Sequence, residues 1–181
     1  MSTEAQLIQR ILSGDYRAFE ELITQYERLI RHIIGGLVKQ DADIDDLVQD
    51  ILVKVYQRLP SFRHQSKLST WIGKITYNHC LNYLRRERRK PSFNDFPDFE
   101  ENVLADNNYE EKPNQQDAHA ILHQAIEKLP EPYRLTLNLF HLENMNYDEI
   151  SEILDIPQGT IKSRLFRARK VLKEILTNKL P

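Results

Sequence analysis

Lys162, Ser163, Phe166, Arg167 and Lys170 recur at spacings of three and four residues, so one helical face would carry cations, a hydroxyl and a ring. Such a face suits duplex DNA, where cations pair with phosphates and base edges and a ring meets a thymine methyl. Gly159 and Thr160 stand just ahead of it, and a glycine there leaves room for the DNA backbone. A second set lies in residues 62 to 90, where Arg63, Lys67, Lys74, Arg85 and Arg86 mix with Phe62, Trp71, Tyr77, Tyr83 and the amides Asn78 and Asn82. Bases interleaved with aromatics suit single-stranded nucleic acid, whose unstacked bases offer faces and edges. Asn78 and Asn82 are four apart on one face, and an amide donates to and accepts from a base edge. Ser61, Phe62 and the polar loop 63–67 would help form a pocket for one extruded base. A third set is acidic: Asp41, Asp43, Asp45, Asp46 and Asp50 fall within ten residues that hold no base. One or two acids suffice to stabilise a helix N-terminus, so the excess points to a basic protein surface.

The elements that must position these groups are helical. Leu7, Ile8, Ile11 and Leu12, then Phe19, Leu22, Ile23, Tyr26, Leu29, Ile30, Ile33, Ile34 and Leu37, recur at helical spacing. Gly14 and Asp15 break that run, and Gly35 and Gly36 weaken its end. A third helix is predicted from Ile44 to Leu59, with Leu47, Val48, Ile51, Leu52 and Val55 inward and Pro60 as its stop. A fourth is predicted from near Trp71, capped by Ser69 and Thr70. Residues 118 to 181 give further helices, and residues 146 to 165 have a helix-turn-helix pattern. There Ile150, Ile153, Leu154, Ile161 and Leu165 face inward, Ile156 fills the turn, Ser151 is small at the crossing, and Asp155 takes the left-handed position. Strand signals are almost absent, so the chain reads as all-α: two small helical domains, residues 1–90 and 118–181.

Between them, residues 91–117 hold prolines, asparagines and acids without sustained period, and read as a flexible acidic linker. The net charge of −2 hides strong blocks. Residues 62–90 carry eight bases against one acid, 91–118 eight acids against one base, and 159–173 six bases and no acid. Two separate basic segments suit two contacts with a polyanion.

No phosphate-binding glycine loop, nucleophile signature or Cys/His ligand cluster is present, so an enzyme is not expected, and neither is a cofactor, metal or small-molecule substrate. His119 and His123 are four apart and read as a solvated pair before a metal site. The one cysteine, Cys80, precludes an internal disulfide, and no apolar run is long enough to span a membrane. A cytoplasmic location is expected.

In family order, Gly14-Asp15 with Ala18-Phe19-Glu20-Glu21-Leu22, Asp45-Asp46-Leu47-Val48-Gln49-Asp50, Ser61-Phe62 with Ser69-Thr70-Trp71-Ile72, Leu129-Pro130, and Gly159-Thr160-Ile161-Lys162-Ser163-Arg164 resemble the bacterial sigma-70 family. The resemblance is to its smallest group, the extracytoplasmic-function (ECF) sigma factors, and it covers nearly all of the chain outside the linker. It implies an initiation factor built from a region 2 bundle and a region 4 helix-turn-helix. Asp45, Asp46, Leu47, Gln49, Asp50 and Lys54 would bind the clamp helices of the largest subunit of core RNA polymerase. Ser61, Phe62, Arg63, Lys67, Lys74, Asn78, Asn82, Arg85 and Arg86 would read and melt the −10 element. Gly159, Thr160, Lys162, Ser163, Arg164, Phe166, Arg167 and Lys170 would read the −35 element as duplex. The second domain would lean on the flap of the other large subunit, and the linker would thread toward the RNA exit channel. The expected partners are core RNA polymerase, promoter DNA and an anti-sigma factor, which would hold the chain at the inner face of the membrane. The rival reading is a stand-alone helix-turn-helix regulator, which leaves the first domain unexplained.

Overall fold

The computed structural model describes residues 3–38, 44–89 and 118–177; Asp41, Asp43 and the acidic segment 91–117 lie outside them. Helix α1 (Thr3–Leu12) lays Ile8 and Ile11 into the core. Gly14 then turns the chain with φ +90, a conformation that suits glycine. Asp15 caps α2 (Tyr16–Leu37) by accepting from the Arg17 and Ala18 amides at 3.0 and 3.3 Å. Helix α2 buries Leu22, Ile30, Ile33 and Ile34 completely and is the mast on which the first domain is hung. Helix α3 (Ile44–Arg58) and α4 (Leu68–Arg89) pack on it and on each other, joined through one tight 3-10 turn at Leu59–Ser61. Pro60 stands in that turn, where its lost amide costs no helical bond.

Helix α4 begins earlier than expected. The Trp71 amide donates to the Lys67 carbonyl at 3.1 Å, so Ser69 and Thr70 lie inside the first turn instead of capping it. Thr70 is fully buried there, and its hydroxyl has no hydrogen-bond partner.

The second domain is α5 (Ala118–Glu127), α6 (Glu131–Leu137), α7 (Tyr147–Leu154) and α8 (Gln158–Thr177). Helix α6 runs on into a widened π turn, Asn138–Leu142, closed by the Glu143 amide on the Asn138 carbonyl. Such turns occur where a helix is locally re-aimed. Here it brings Glu143 against the Nδ1–H of His32 on α2, at 2.5 Å. Among the described residues no strand forms.

The sequence reading left the arrangement of the two domains open. In the structure they pack directly, α2 against α6 and α4 against α7, and one buried cluster runs from Ile8 through Ile150 and Ile153 to Leu165. A smaller cluster of Leu129, Leu137 and Ala168 ties α5 and α6 to α8.

Candidate nucleic-acid and protein interfaces

The helix-turn-helix is built as its residues dictate. Asn146 caps α7 and Glu149 returns the bond: the Glu149 amide donates to Asn146 Oδ1 at 2.9 Å, and the Asn146 amide to Glu149 Oε2 at 2.8 Å. This Asn-x-x-Glu box was readable before the apolar run, and the sequence reading missed it. Asp155 takes φ 54 and ψ 46, the left-handed geometry the turn needs. The Ser151 hydroxyl donates to the Ile156 carbonyl at 2.6 Å and fixes the turn. Gln158 hydrogen-bonds back to Asp148, and Pro157 occupies the cap of α8, one residue ahead of its first turn.

With Ile161 and Leu165 buried beneath it, α8 turns Lys162, Ser163, Phe166, Arg167 and Lys170 outward. Phe166 is 72% exposed, a ring that none of the other described residues covers. Among the described residues nothing lies within 4 Å of a Cβ placed on Gly159, so there the front of the helix is open to an approaching backbone. Thr160 is half-buried and its carbonyl accepts from the Ser163 hydroxyl at 2.9 Å. Lys162 lies over the Tyr147 ring, 5.6 Å from its centroid. Arg164 is half-buried; burial raises the Tyr77 phenol of α4 and the field of the Arg164 charge opposes it.

On α4, Lys74, Asn78, Asn82, Arg85 and Arg86 are all exposed and follow one stripe at spacings of three and four. The Asn78 amide nitrogen donates to the Lys74 carbonyl at 2.9 Å. Ser61 and Arg63 are exposed in the loop before it, with the Ser61 hydroxyl bonded to the Arg58 carbonyl at 2.6 Å. Phe62 lies beneath the loop. It is 9% exposed, packed against Trp71 at 5.3 Å between ring centroids and against His64 at 4.7 Å. It supports the loop from below, and the left-handed His64 (φ 54) lies in that loop. Lys67 reaches across to α7, its Nζ 2.6 Å from Glu149 Oε1.

The outer face of α3 carries Asp45, Asp46, Gln49 and Asp50, all exposed. Asp45 pairs with Arg31 at 2.8 Å, and Arg31 pairs with Glu27 at 2.8 Å. Leu47 is 4% exposed and faces the core, where it orients the helix. The sequence reading missed Val53 and Tyr56, 55% and 42% exposed, which continue that outer face as an apolar extension, Tyr56 edge-on to Phe19 at 4.9 Å. Val53 already falls outside the inward stripe in sequence, and that was the available signal.

Lys54 donates to His79 Nδ1 on α4, and His79 Nε2 faces Asp50 at 3.8 Å. Burial pushes His79 below the ordinary histidine value; the Lys54 charge adds to this and Asp50 opposes it. The unfolded chain therefore takes up this proton first. The α3–α4 tie is complete above the ordinary value of about 6.5 and fades as pH falls through the depressed folded one. An NMR titration is expected to place the His79 midpoint below 6.5, and Lys54→Met is expected to raise it; a wild-type midpoint at or above 6.5 contradicts the geometry.

His123 Nδ1 lies 3.2 Å from Glu127 Oε1, and among the described residues no cluster of three metal-ligating side chains forms. Among the same residues no helix is long and apolar enough to cross a membrane.

Residues 22–90 match Sigma-70 region 2, and residues 119–172 match Sigma-70, region 4. The ECF RNA polymerase sigma-E factor of Escherichia coli K12 is 33% identical over 177 residues, covering 94% of this chain and 92% of that one. The protein of the same name from Haemophilus influenzae is 31% identical, with 94% of each covered. Among solved structures, the sigma factor RpoE of Bartonella quintana, crystallised with the anti-sigma factor NepR, is 25% identical with a TM-score of 0.68, over 88% of this chain and 96% of that one. CnrH, in complex with the cytosolic domain of CnrY, shares the fold at 19% identity and a TM-score of 0.65, over 96% of this chain and 97% of that one. A region 2 bundle followed by a region 4 helix-turn-helix, in a chain that aligns nearly end to end with named ECF factors, makes this protein a member of the sigma-70 family, in its ECF group of RNA polymerase sigma factors.

Proposed function

We propose that the chain joins core RNA polymerase through the outer face of α3 and then reads a promoter at two places, opening it at one of them. The observation that carries this is the separation of charge by face: exposed carboxylates on α3, and an exposed cationic face on each of α4 and α8. A chain that only bound duplex DNA would need the last of these alone.

In this reading Asp45, Asp46, Gln49, Asp50 and Lys54 meet the clamp helices of the largest subunit. Val53 and Tyr56 extend the contact, and Leu47 holds the helix in place from inside. Arg63, Lys67, Lys74, Asn78, Asn82, Arg85 and Arg86 line the path of the melted −10 strand, with Ser61 at the loop and Phe62 beneath it. Lys162, Ser163, Arg164, Phe166, Arg167 and Lys170 face the −35 duplex at the end opened by Gly159 and Thr160. Residues 1–90 and 118–181 are the two modules, with 91–117 between them as the segment that threads toward the RNA exit channel. The chain acts in the cytoplasm without chemistry of its own. An anti-sigma factor is its expected antagonist, as NepR is the partner of the Bartonella protein.

Run-off transcription with core enzyme on a promoter library tests this directly. Wild type is expected to give promoter-specific transcripts. Asp46→Lys with Asp50→Lys is expected to weaken association with core by about 100-fold, since like charge set against a basic surface costs several kcal/mol. Association unchanged by that pair, or tight promoter binding by the isolated chain at physiological salt, overturns the reading.

A further inference from the structure

Four side chains beside α8 form one continuous stack. Arg169 lies over the Phe140 ring, 5.7 Å from its centroid, and the Phe140 and Tyr147 rings stack at 5.4 Å with 18° between their planes. Lys162 lies over the Tyr147 ring at 5.6 Å. The order is cation, ring, ring, cation. Both rings are half-buried and both cations are exposed. Phe140 comes from the π turn, and Tyr147 is the first residue of α7, directly after the Asn146 cap. His141, next in the π turn, sets its ring edge-on to Phe140 at 4.9 Å and its Nε2 3.1 Å from Arg169 Nη2. An arginine N–H only donates, so the neutral imidazole nitrogen accepts it. Burial, and then the Arg169 charge, push His141 below the ordinary histidine value and keep that nitrogen free of a proton. On α8 the two cations are seven residues apart, about 10.5 Å along the axis, and so fall on one edge of the outward face.

We propose that Phe140 and Tyr147 are positioning residues for −35 recognition, and that Arg169, which the sequence reading left out, is a further phosphate contact that they hold in place together with Lys162. The inference rests on the assignment of α8 to the −35 duplex. An exposed lysine or arginine samples many rotamers in water, and fixing it against a phosphate costs entropy that a side chain already held has lost beforehand. A carboxylate could hold it too, but would compete with the phosphate for the same charge. Residues 159–173 contain no acid, and here rings take that place. A ring face attracts the cation on its inner side and leaves the charge and the outer N–H donors to an incoming anion. Ser163, Phe166 and Lys170 occupy the middle of the outward face, where base edges would be met. Lys162 and Arg169 stand at its edge beside α7 and the π turn, where one wall of a major groove would run. Contacts there carry no sequence themselves and set the register from which the middle of the face reads.

Double-mutant cycles separate this role from packing, measured on the full chain assembled with core polymerase against a −35 duplex. Tyr147→Leu and Phe140→Leu are each expected to lower affinity about fivefold, mainly through faster dissociation. Tyr147→Phe keeps the ring and is expected to bind as wild type does. Once Lys162 is replaced by Met, Tyr147→Leu is expected to cost less than about twofold further, and the same holds for Phe140→Leu once Arg169 is Met. Arg169→Met alone is expected to flatten the dependence of log affinity on log salt by roughly 0.9, the share of one phosphate. Leucine variants that lose as much affinity without their cation as with it would show that the rings serve packing alone, and they overturn the proposal. An Arg169→Met variant with the wild-type salt slope overturns it as well. So does a loss in Tyr147→Phe as large as in Tyr147→Leu, since the hydroxyl and not the ring face would then carry the effect. A wild-type assembly with no preference for the −35 duplex removes the assignment of α8 itself, and this inference with it.

Discussion

Replacing Arg134 by alanine is expected to destabilise the chain by about 3 kcal/mol, more than any charged surface position would. Arg134 is 5% exposed. Its guanidinium donates to the Glu127 carbonyl at 2.8 Å and to the Gly36 carbonyl at 3.3 Å, while Nε has no partner. Burial pushes this guanidinium below its ordinary value, and Glu131 and Glu127 oppose that only through their fields. The group is therefore a cation closing the ends of two helices, α5 and α2, at the helix terminus where carbonyls are orphaned and positive charge is favoured. Alanine leaves both carbonyls without that donor and opens a cavity. Methionine fills most of the volume and removes the buried charge, so Arg134→Met is expected to cost about 1 kcal/mol or less. Denaturant midpoints decide between them. An alanine variant no less stable than the methionine one would mean that the volume of the side chain contributes nothing, and a methionine variant as stable as wild type would mean that the charged hydrogen bonds give no net stability.

Arg134 also marks what the sequence hides. An arginine at a helical position reads as solvated, and only the arrival of α2 against α6 buries it. Gly36 and Gly73 carry the same difficulty. A glycine in a helix signals a weak point or a close approach equally well, and which of the two holds depends on a helix about 80 to 100 residues away in sequence. The motif around Leu47 and Phe62 was legible, but a motif gives register along the chain and not the direction of each side chain. Both of these apolar groups turned inward because burial outweighs exposure for a ring or an isobutyl group. By contrast the helix-turn-helix was legible in detail. Its turn demands one left-handed residue, and the close crossing of its two helices demands apolar side chains at the inward positions. Asp155 satisfies the first condition, and Ile150, Ile153, Leu154, Ile161 and Leu165 the second. The segment that would link the modules, with Phe93, Phe96, Phe99 and Tyr109, lies outside the described residues.

Those legible charges permit a sharper test than loss of binding. Lys162→Ala, Arg167→Ala and Lys170→Ala together are expected to lower affinity for a −35 duplex by about 100-fold at moderate salt, measured on the chain assembled with core polymerase. They are also expected to flatten the dependence of log affinity on log salt by about 2 to 3. Each cation set against a phosphate releases condensed counterions and contributes roughly 0.9 to that slope. Three exposed cations on one face of α8 therefore give a slope change that a folding defect cannot imitate. Phe166→Ala is the counterpart. Its ring is 72% exposed and carries no charge, so the slope is expected to stay as in wild type. Discrimination between duplexes with and without a thymine at the contacted step is expected to fall by about 1 kcal/mol or more. A triple variant whose salt slope equals that of wild type would mean that this face of α8 does not lie along the phosphates, whatever happens to its affinity.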